Sequence, residues 1–365
     1  MLIKELATFL ESIAPLCYQE DYDNSGLLVG SPEIEITSAL ISLDCTEEVV
    51  DEAISRGCNL VISHHPIVFK GLKNLTGSNN VERVVIKAIK HEIALYAIHT
   101  NFDNVLNGVN SKICEIIGLK NCNILHSKRN LLKKLVTYVP LSHAEHLRTE
   151  LFNAGAGNIG NYSECSFNVD GNGTYLAGEN ASPYLGNKGL RHVEKETRIE
   201  VILPDYKEQQ VLAALHQAHP YEEVAFDLYS LANNFSEVGS GMIGNLEHEM
   251  SETDFLNHIK LIFKCAVIKH TSLLNKKIKR VAVCGGSGGF LLQKAITAGA
   301  DIFITSDLKY HEFFEAEKKI IIADIGHFES EQFTQELLQE SISKKFPKFA
   351  LHLTKQNTNP IKYLI

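Results

Sequence analysis

The order of its apolar runs constrains this chain more than any other feature. From the first residue to about 130, short β-type runs alternate with amphipathic helical stretches: "SALISLD", "TEEVVDEAISRG", "NLVIS", "NVERVVIKAIKHE", "IALYAIHT" and "GVNSKICEIIGL". Thr46 reads as an N-cap and Gly57 as a stop for the first of these helices. The same alternation resumes near 245 and runs to 365. Its strands are "KRVAVCGGSGG", "DIFITS" and "IIIADIG", and its helices are "FLLQKAITAGA", "KYHEFFEAEKK" and one long amphipathic helix, "HFESEQFTQELLQESISKKF". Strands separated by helices predict a mostly parallel, layered α/β sheet, with functional groups gathered at the carboxyl ends of its strands.

Residues 131–244 follow another rule. Strand ("KKLVTYVP"), helix ("SHAEHLRTELFNAG"), a glycine-rich polar stretch with short strands, strand ("TRIEVILP"), helix ("YKEQQVLAALHQAH") and strand ("EVAFDLYSL") give a β-α-β-β-α-β order. That is the order of a ferredoxin-like module. The expected architecture is a discontinuous layered α/β core, 1–130 with 245–365, carrying an inserted ferredoxin-like α+β domain at 131–244.

Composition narrows the function classes. A chain of 365 residues with 44% hydrophobic and 22% charged residues reads as globular, and its net charge of −9 argues against nucleic acid as a partner. No pair among the eight cysteines has the C-x-x-C spacing of a zinc ribbon or redox dithiol. The N-terminal stretch lacks the basic start and long apolar core of a signal peptide, and no run reaches the length of a membrane span. The expected compartment is the cytoplasm.

Of sixteen histidines, those in "SHHP", "HTNFDN", "TSDLKYHE" and "GHFESE" each follow a strand. His327 and Glu331, four apart at a helix start, share one face and can bind one ion or bridge two; a carboxylate there is also favoured by the helix dipole alone. His64 and His65 are adjacent, and adjacent extended residues point to opposite sides, so each would reach a different ion; a polar loop before Pro66 is the plainer reading. Asp103 is a carboxylate ligand or a turn cap, and His99 a ligand or a partner behind one. Taken together, His64, His65, Asp103, His327 and Glu331 suit two divalent ions with Glu331 bridging. Imidazole with carboxylate fits zinc, iron or manganese better than magnesium or calcium. "CGGSGG" could present backbone N–H groups to an anion. Asp307 and His311 are candidates for moving protons during catalysis.

"DYDNSGLLVG", "SHHPIVF", "HTNFDN", "CGGSGG", "TSDLKYHE" and "GHFESE", in that order, resemble the Nif-three-like family of dinuclear-metal proteins, often labelled GTP cyclohydrolase I type 2. "GAGNIGNYSECSF" and "HPYEEVAFDLY" are similar to the insert of its longer bacterial members, which is akin to PII and CutA-type folds. The resemblance implies two metal ions per subunit, zinc first, with iron or manganese as alternatives. It implies His64 with His327 on one ion, His65 with Asp103 on the other, Glu331 on both and His99 outside. It also implies a toroidal homohexamer and hydrolysis of a small nucleotide by metal-activated water, GTP by label. A phosphoesterase and a non-catalytic metal-containing ring are the alternatives. Ser306 departs from the family, which more often has glycine before the aspartate.

Overall fold

The computed structural model describes residues 1–364. The chain divides into two compact units, one of residues 1–127 with 237–365 and one of residues 128–236. The sequence reading placed these junctions at 130/131 and 244/245. The glycines of "EVGSGMIGN", which read as a boundary, lie inside one strand, Asn234–Ser251, most of whose residues belong to the larger unit.

The larger unit holds two sheets rather than one. The first has five strands in the order Gly26–Val29, Ala94–Ala97, Leu60–Ser63, Ser38–Ser42, Ala350–Leu353, parallel except at the Gly26–Val29 edge. The second has six, in the order Lys269–His270, Ile321–Asp324, Ile302–Ser306, Lys277–Ser287, Asn234–Ser251, Lys120–Arg129. The three central strands, ending at Asp324, Ser306 and Ser287, are parallel. Each half of the sequence lends a strand to the other half's sheet: Ala350–Leu353 pairs with Ser38–Ser42, and Lys120–Arg129 edges the second sheet.

Strand periodicity explains the layering. Leu60 and Ile62 enter one apolar cluster while Val61 enters another, and Ile302 and Ile304 are likewise separated from Phe303. Successive side chains leave a strand on opposite faces, so both faces of each sheet are covered. The shared inner layer takes Leu6 and Leu10 of helix Ile3–Ile13, Ile113 of Val109–Ile117, Phe255 of Glu252–Ile262 and Leu338 of Thr334–Lys345. Every residue of Ser38–Ser42, Leu60–Ser63, Ala94–Ala97 and Ile302–Ser306 is buried. Burying one Ile or Leu side chain contributes roughly 1.5–3 kcal/mol, so the strand ends are firmly held where the polar groups begin.

Two predicted helices differ. "HFESEQFTQELLQESISKKF" breaks into His327–Glu331 and Thr334–Lys345, because Gln332 and Phe333 turn inward: Gln332 donates to the Phe263 carbonyl and Phe333 packs edge-on against Phe263. "KYHEFFEAEKK" forms a tighter 3₁₀ helix, Tyr310–Ala316, ended by Glu317 in the left-handed region.

The smaller unit has the ferredoxin-like arrangement. Its strands lie in the order Phe167–Leu176, Arg191–Pro204, Leu132–Pro140, Phe226–Leu231, all antiparallel. Helices Ala144–Asn153 and Glu208–Ala218 cover one face, where Leu135, Val139, Ile199, Val201, Leu147 and Leu215 form the core. The opposite face carries no helix. Among the described residues, no helix is long and apolar enough to cross a membrane.

Candidate metal centre

The carboxyl ends of strands from both sheets converge on one cluster in the larger unit. His64 and His65 follow Leu60–Ser63, His99 and Asp103 follow Ala94–Ala97, and His327 and Glu331 form the short helix after Ile321–Asp324. Three groups place their ligand atoms within 4.8 Å of one another: His65, His327 and Glu331; His64, Asp103 and Glu331; and His64, His65 and His99.

Hydrogen bonds fix which nitrogen each imidazole offers. His64 Nδ1 lies 2.8 Å from the Ile98 carbonyl, which can only accept, so Nδ1 carries the hydrogen and Nε2 is bare. His65 Nδ1 is 2.8 Å from Asp44, His99 Nδ1 2.8 Å from Asp23, and His327 Nδ1 2.6 Å from Asp307. Four rings therefore turn Nε2 inward, each held from behind by an acceptor, the arrangement that orients metal-ligating histidines.

What Nε2 meets is acceptors. His65 Nε2 and His327 Nε2 stand 3.2 Å apart, and both lie within 3.1 Å of Glu331 Oε2. His64 Nε2 is 3.6 Å from Asp103 Oδ1 and 3.9 Å from Glu331 Oε1. His64 Nε2, Asp103 Oδ1 and Glu331 Oε2 are all buried without a hydrogen-bond partner. A buried acceptor left alone is costly, and acceptors facing each other need a cation between them, either protons or metal. The donor set fits divalent metal.

The electrostatics follow the same division. Burial pulls His64 down to about 3, outweighing the pull of Glu331, so this ring is neutral and ready to ligate. Burial also works against the charged forms of His65 and His327, but bonds to Asp44, Asp307 and Glu331 prevail and raise them to about 10 and about 11. Burial and the neighbouring Glu331 carboxylate push Asp103 well above the usual range, whereas the two imidazoles hold Glu331 well below it in spite of its burial.

The glycine turn has a different task from the one its sequence advertised. The N–H groups of Gly285, Gly286 and Gly288 donate to Asn110, Ser330 and Thr305, so they do not face an anion. Gly286 has φ +61, and a Cβ there would overlap Glu331 Oε1. The turn thus makes room for the central carboxylate.

All five expected ligands come together, but in other pairs. His64 groups with Asp103 and His65 with His327, each with Glu331, instead of His64 with His327 and His65 with Asp103. The pleat stops at Ser63: His64 and His65 lie in the bend beyond it, ring centroids 4.9 Å apart, both turned into the cluster rather than to opposite sides. His99, expected outside, places a ligand atom beside His64 and His65. Asp307 sits behind His327. His311 is exposed, edge-on to Tyr310, and is not among the residues lining the cavity over the cluster. Sequence reasoning missed Asp23 and Asp44 as supports; both follow the pattern of an acid at a loop or strand end, with nothing local to tie them to a histidine.

A cavity of about 710 Å³ opens over the cluster, with His65, His99, Asp103, His327 and Glu331 on its wall. Tyr22, Phe69 and Phe290 give it aromatic sides, and Thr358 to Ile361 close one flank, where Thr358 donates to Asp44. Among the described residues, no Lys or Arg lines it.

A family model described as Duf34/NIF3 (NGG1p interacting factor 3) matches residues 1–360. A Halalkalibacterium halodurans protein named "GTP cyclohydrolase 1 type 2 homolog" is 36% identical over 340 residues, spanning 93% of this chain and 90% of its own. A Bacillus subtilis protein of the same name is 33% identical over 371 residues, spanning 99% and 98%. The crystal structure of a Bacillus cereus protein related to NIF3 superposes with a TM-score of 0.88 at 36% identity, covering 100% of this chain and 99% of that one.

Proposed function

The chain belongs to the Duf34/NIF3 family, and on that premise we propose that its α/β core is a dinuclear-metal hydrolase. His65, His327 and Glu331 would hold one divalent ion, and His64, Asp103 and Glu331 the other; these are the groups whose ligand atoms lie within 4.8 Å of one another. The observation that carries this reading is the convergence of the bare His64 Nε2 and the inward-turned Nε2 atoms of His65 and His327 on the buried carboxylate oxygens of Asp103 and Glu331. Zinc, iron or manganese suits such donors.

Two such ions supply an activated water and a clamp for an electrophile. The chain's own residues do the rest. Asp44 and Asp307 keep His65 and His327 in the ligating tautomer. His99, fixed by Asp23, keeps Nε2 at the edge of the cavity, where it accepts or returns a proton. Tyr22, Phe69 and Phe290 offer flat apolar surface to a ring-bearing substrate.

GTP is the first substrate to test, because the relatives' names carry it; its hydrolysis would open the guanine imidazole ring and release formate. A phosphoester is the second. Among the described residues no Lys or Arg lines the cavity wall, which favours a substrate whose negative charge a metal pair would neutralise. The exposed, adjoining rings of Tyr310 and Phe314 support self-association; a toroidal homohexamer is the state the family resemblance implies, and light scattering should then return six chain masses. Protein refilled with zinc, manganese or iron should turn over GTP or a member of a phosphoester panel, and Glu331→Ala should not. A protein that binds both ions yet turns over none of them would leave the metal-containing ring as the better reading.

A further inference from the structure

A second cavity, of about 610 Å³, lies entirely within the inserted domain, on the sheet face without helices. Its floor is built by register. Gly171 pairs with Glu196, Gly173 with Glu194 and Tyr175 with His192, while Tyr138 pairs with Arg198; residues opposite each other in an antiparallel ladder share a face. Two segments close over it: one with Pro183 and Tyr184, the other with Tyr221, Glu222 and Glu223. Ser182 N–H donates to Glu222 at 2.6 Å and ties them together.

Four tyrosines stand around this space: Tyr138, Tyr175, Tyr184 and Tyr221. Tyr175 and Tyr221 are 6.1 Å apart between centroids at 65°, and Tyr184 and Tyr221 are 6.3 Å apart at 50°. The rings are pinned by their own hydroxyls. Tyr175 donates to the Leu185 carbonyl at 2.8 Å, and Tyr221 donates to Glu196 Oε1 at 2.8 Å. Those hydroxyls are therefore spent, and the rings present faces and edges rather than donors. Glu196 is buried, and a Cβ on Gly173 would overlap its Oε2, so the glycine gives this carboxylate its place.

Charge points the same way. Glu196, Glu222 and Glu223 stand on the wall against one basic group, Arg198, which is paired with Glu200 at 2.8 Å. Inclined aromatic faces with surrounding carboxylates attract a cation whose charge is spread over alkyl groups, and repel phosphate. We propose that this cavity of the insert binds a small organic cation of the alkylated-ammonium class. The site is separate from the metal cluster in residues and in chemistry, and does not depend on the core being an enzyme.

Calorimetric titration of the full chain with choline and with tetramethylammonium tests it. Saturable binding is expected, with choline at least ~5-fold tighter than its neutral isostere carrying carbon in place of the quaternary nitrogen. Tyr184→Leu, at a position 51% exposed, should weaken binding by about tenfold, whereas Tyr175→Phe, which keeps the ring, should stay within about threefold. Equal binding of the neutral isostere, saturation by inorganic phosphate or ADP in place of choline, or no saturation by either cation would overturn the proposal. The isostere comparison needs only the unmodified chain, so it stands even where a variant fails to fold.

Discussion

The core and the insert each sink a carboxylate against a glycine, Glu331 beside Gly286 and Glu196 beside Gly173, and then surround it differently. In the core the neighbours are imidazoles, whose ring nitrogens stand within 3.1 Å of the carboxylate. In the insert the neighbours are tyrosines, one of which gives its hydroxyl to the carboxylate and leaves only ring surface exposed. Ring nitrogens with a carboxylate suit a compact divalent transition metal at fixed distance; a ring face suits a diffuse cation. The same buried negative charge is thus tuned to two kinds of cation by the residue type around it.

Glu331→Ala should break the comparison most completely. Metal content measured by plasma mass spectrometry should drop for both ions together, because this side chain belongs to both carboxylate-bearing groups, while choline binding to the insert stays unchanged. Loss of one ion only would show that Glu331 does not bridge.

Acidity acts next. His65 and His327 are held protonated to about pH 10 and about pH 11, so metal must displace their protons, and affinity rises with pH below those values. Each displaced proton is worth about tenfold in apparent affinity per pH unit, up to ~100-fold per unit for both. Competition against a chelator of known affinity between about pH 6 and pH 8 measures the slope; a flat profile would mean the rings are already deprotonated.

Asp44→Asn and Asp307→Asn remove the acceptors behind those rings and should each weaken metal binding by about 10–100-fold, read by the same competition. Gly173→Ala should have the smallest effect, displacing Glu196 and weakening choline binding severalfold with metal content intact. A reversed outcome, metal lost and choline kept, would mean the two cavities are coupled.

The ligands were legible because strand ends are legible. Apolar runs that stop at His64, at "HTNFDN" and at "GHFESE" announce polar groups at the carboxyl edge of a sheet, and the side chains of His64, His65, Asp103, His327 and Glu331 lie in one cluster. Their pairing was not legible, since it depends on where the pleat of Leu60–Ser63 ends and how the next two residues bend. His99 was underestimated because its role depends on Asp23, whose contact with it spans seventy-six residues. The "CGGSGG" turn misled for a similar reason: its N–H groups are taken by Asn110, Ser330 and Thr305, all distant in sequence. The inserted domain's β-α-β-β-α-β order was plain from the alternation of patterns. Its tyrosine-lined cavity was not, since the rings come from two strands and two loops.

The split core also carries a consequence for how the protein is made. Asp103 leaves the ribosome with the first half of the cluster, and the whole insert is translated before His327 and Glu331 appear. At about 5–20 residues per second, the nascent chain displays His64, His65, His99 and Asp103 for roughly 10–45 s without the residues that complete either carboxylate-bridged group. On the proposed reading, loading of a metal pair would be an event of the finished chain, and a product truncated before the helix His327–Glu331 keeps His64, His65 and His99 but lacks His327 and Glu331.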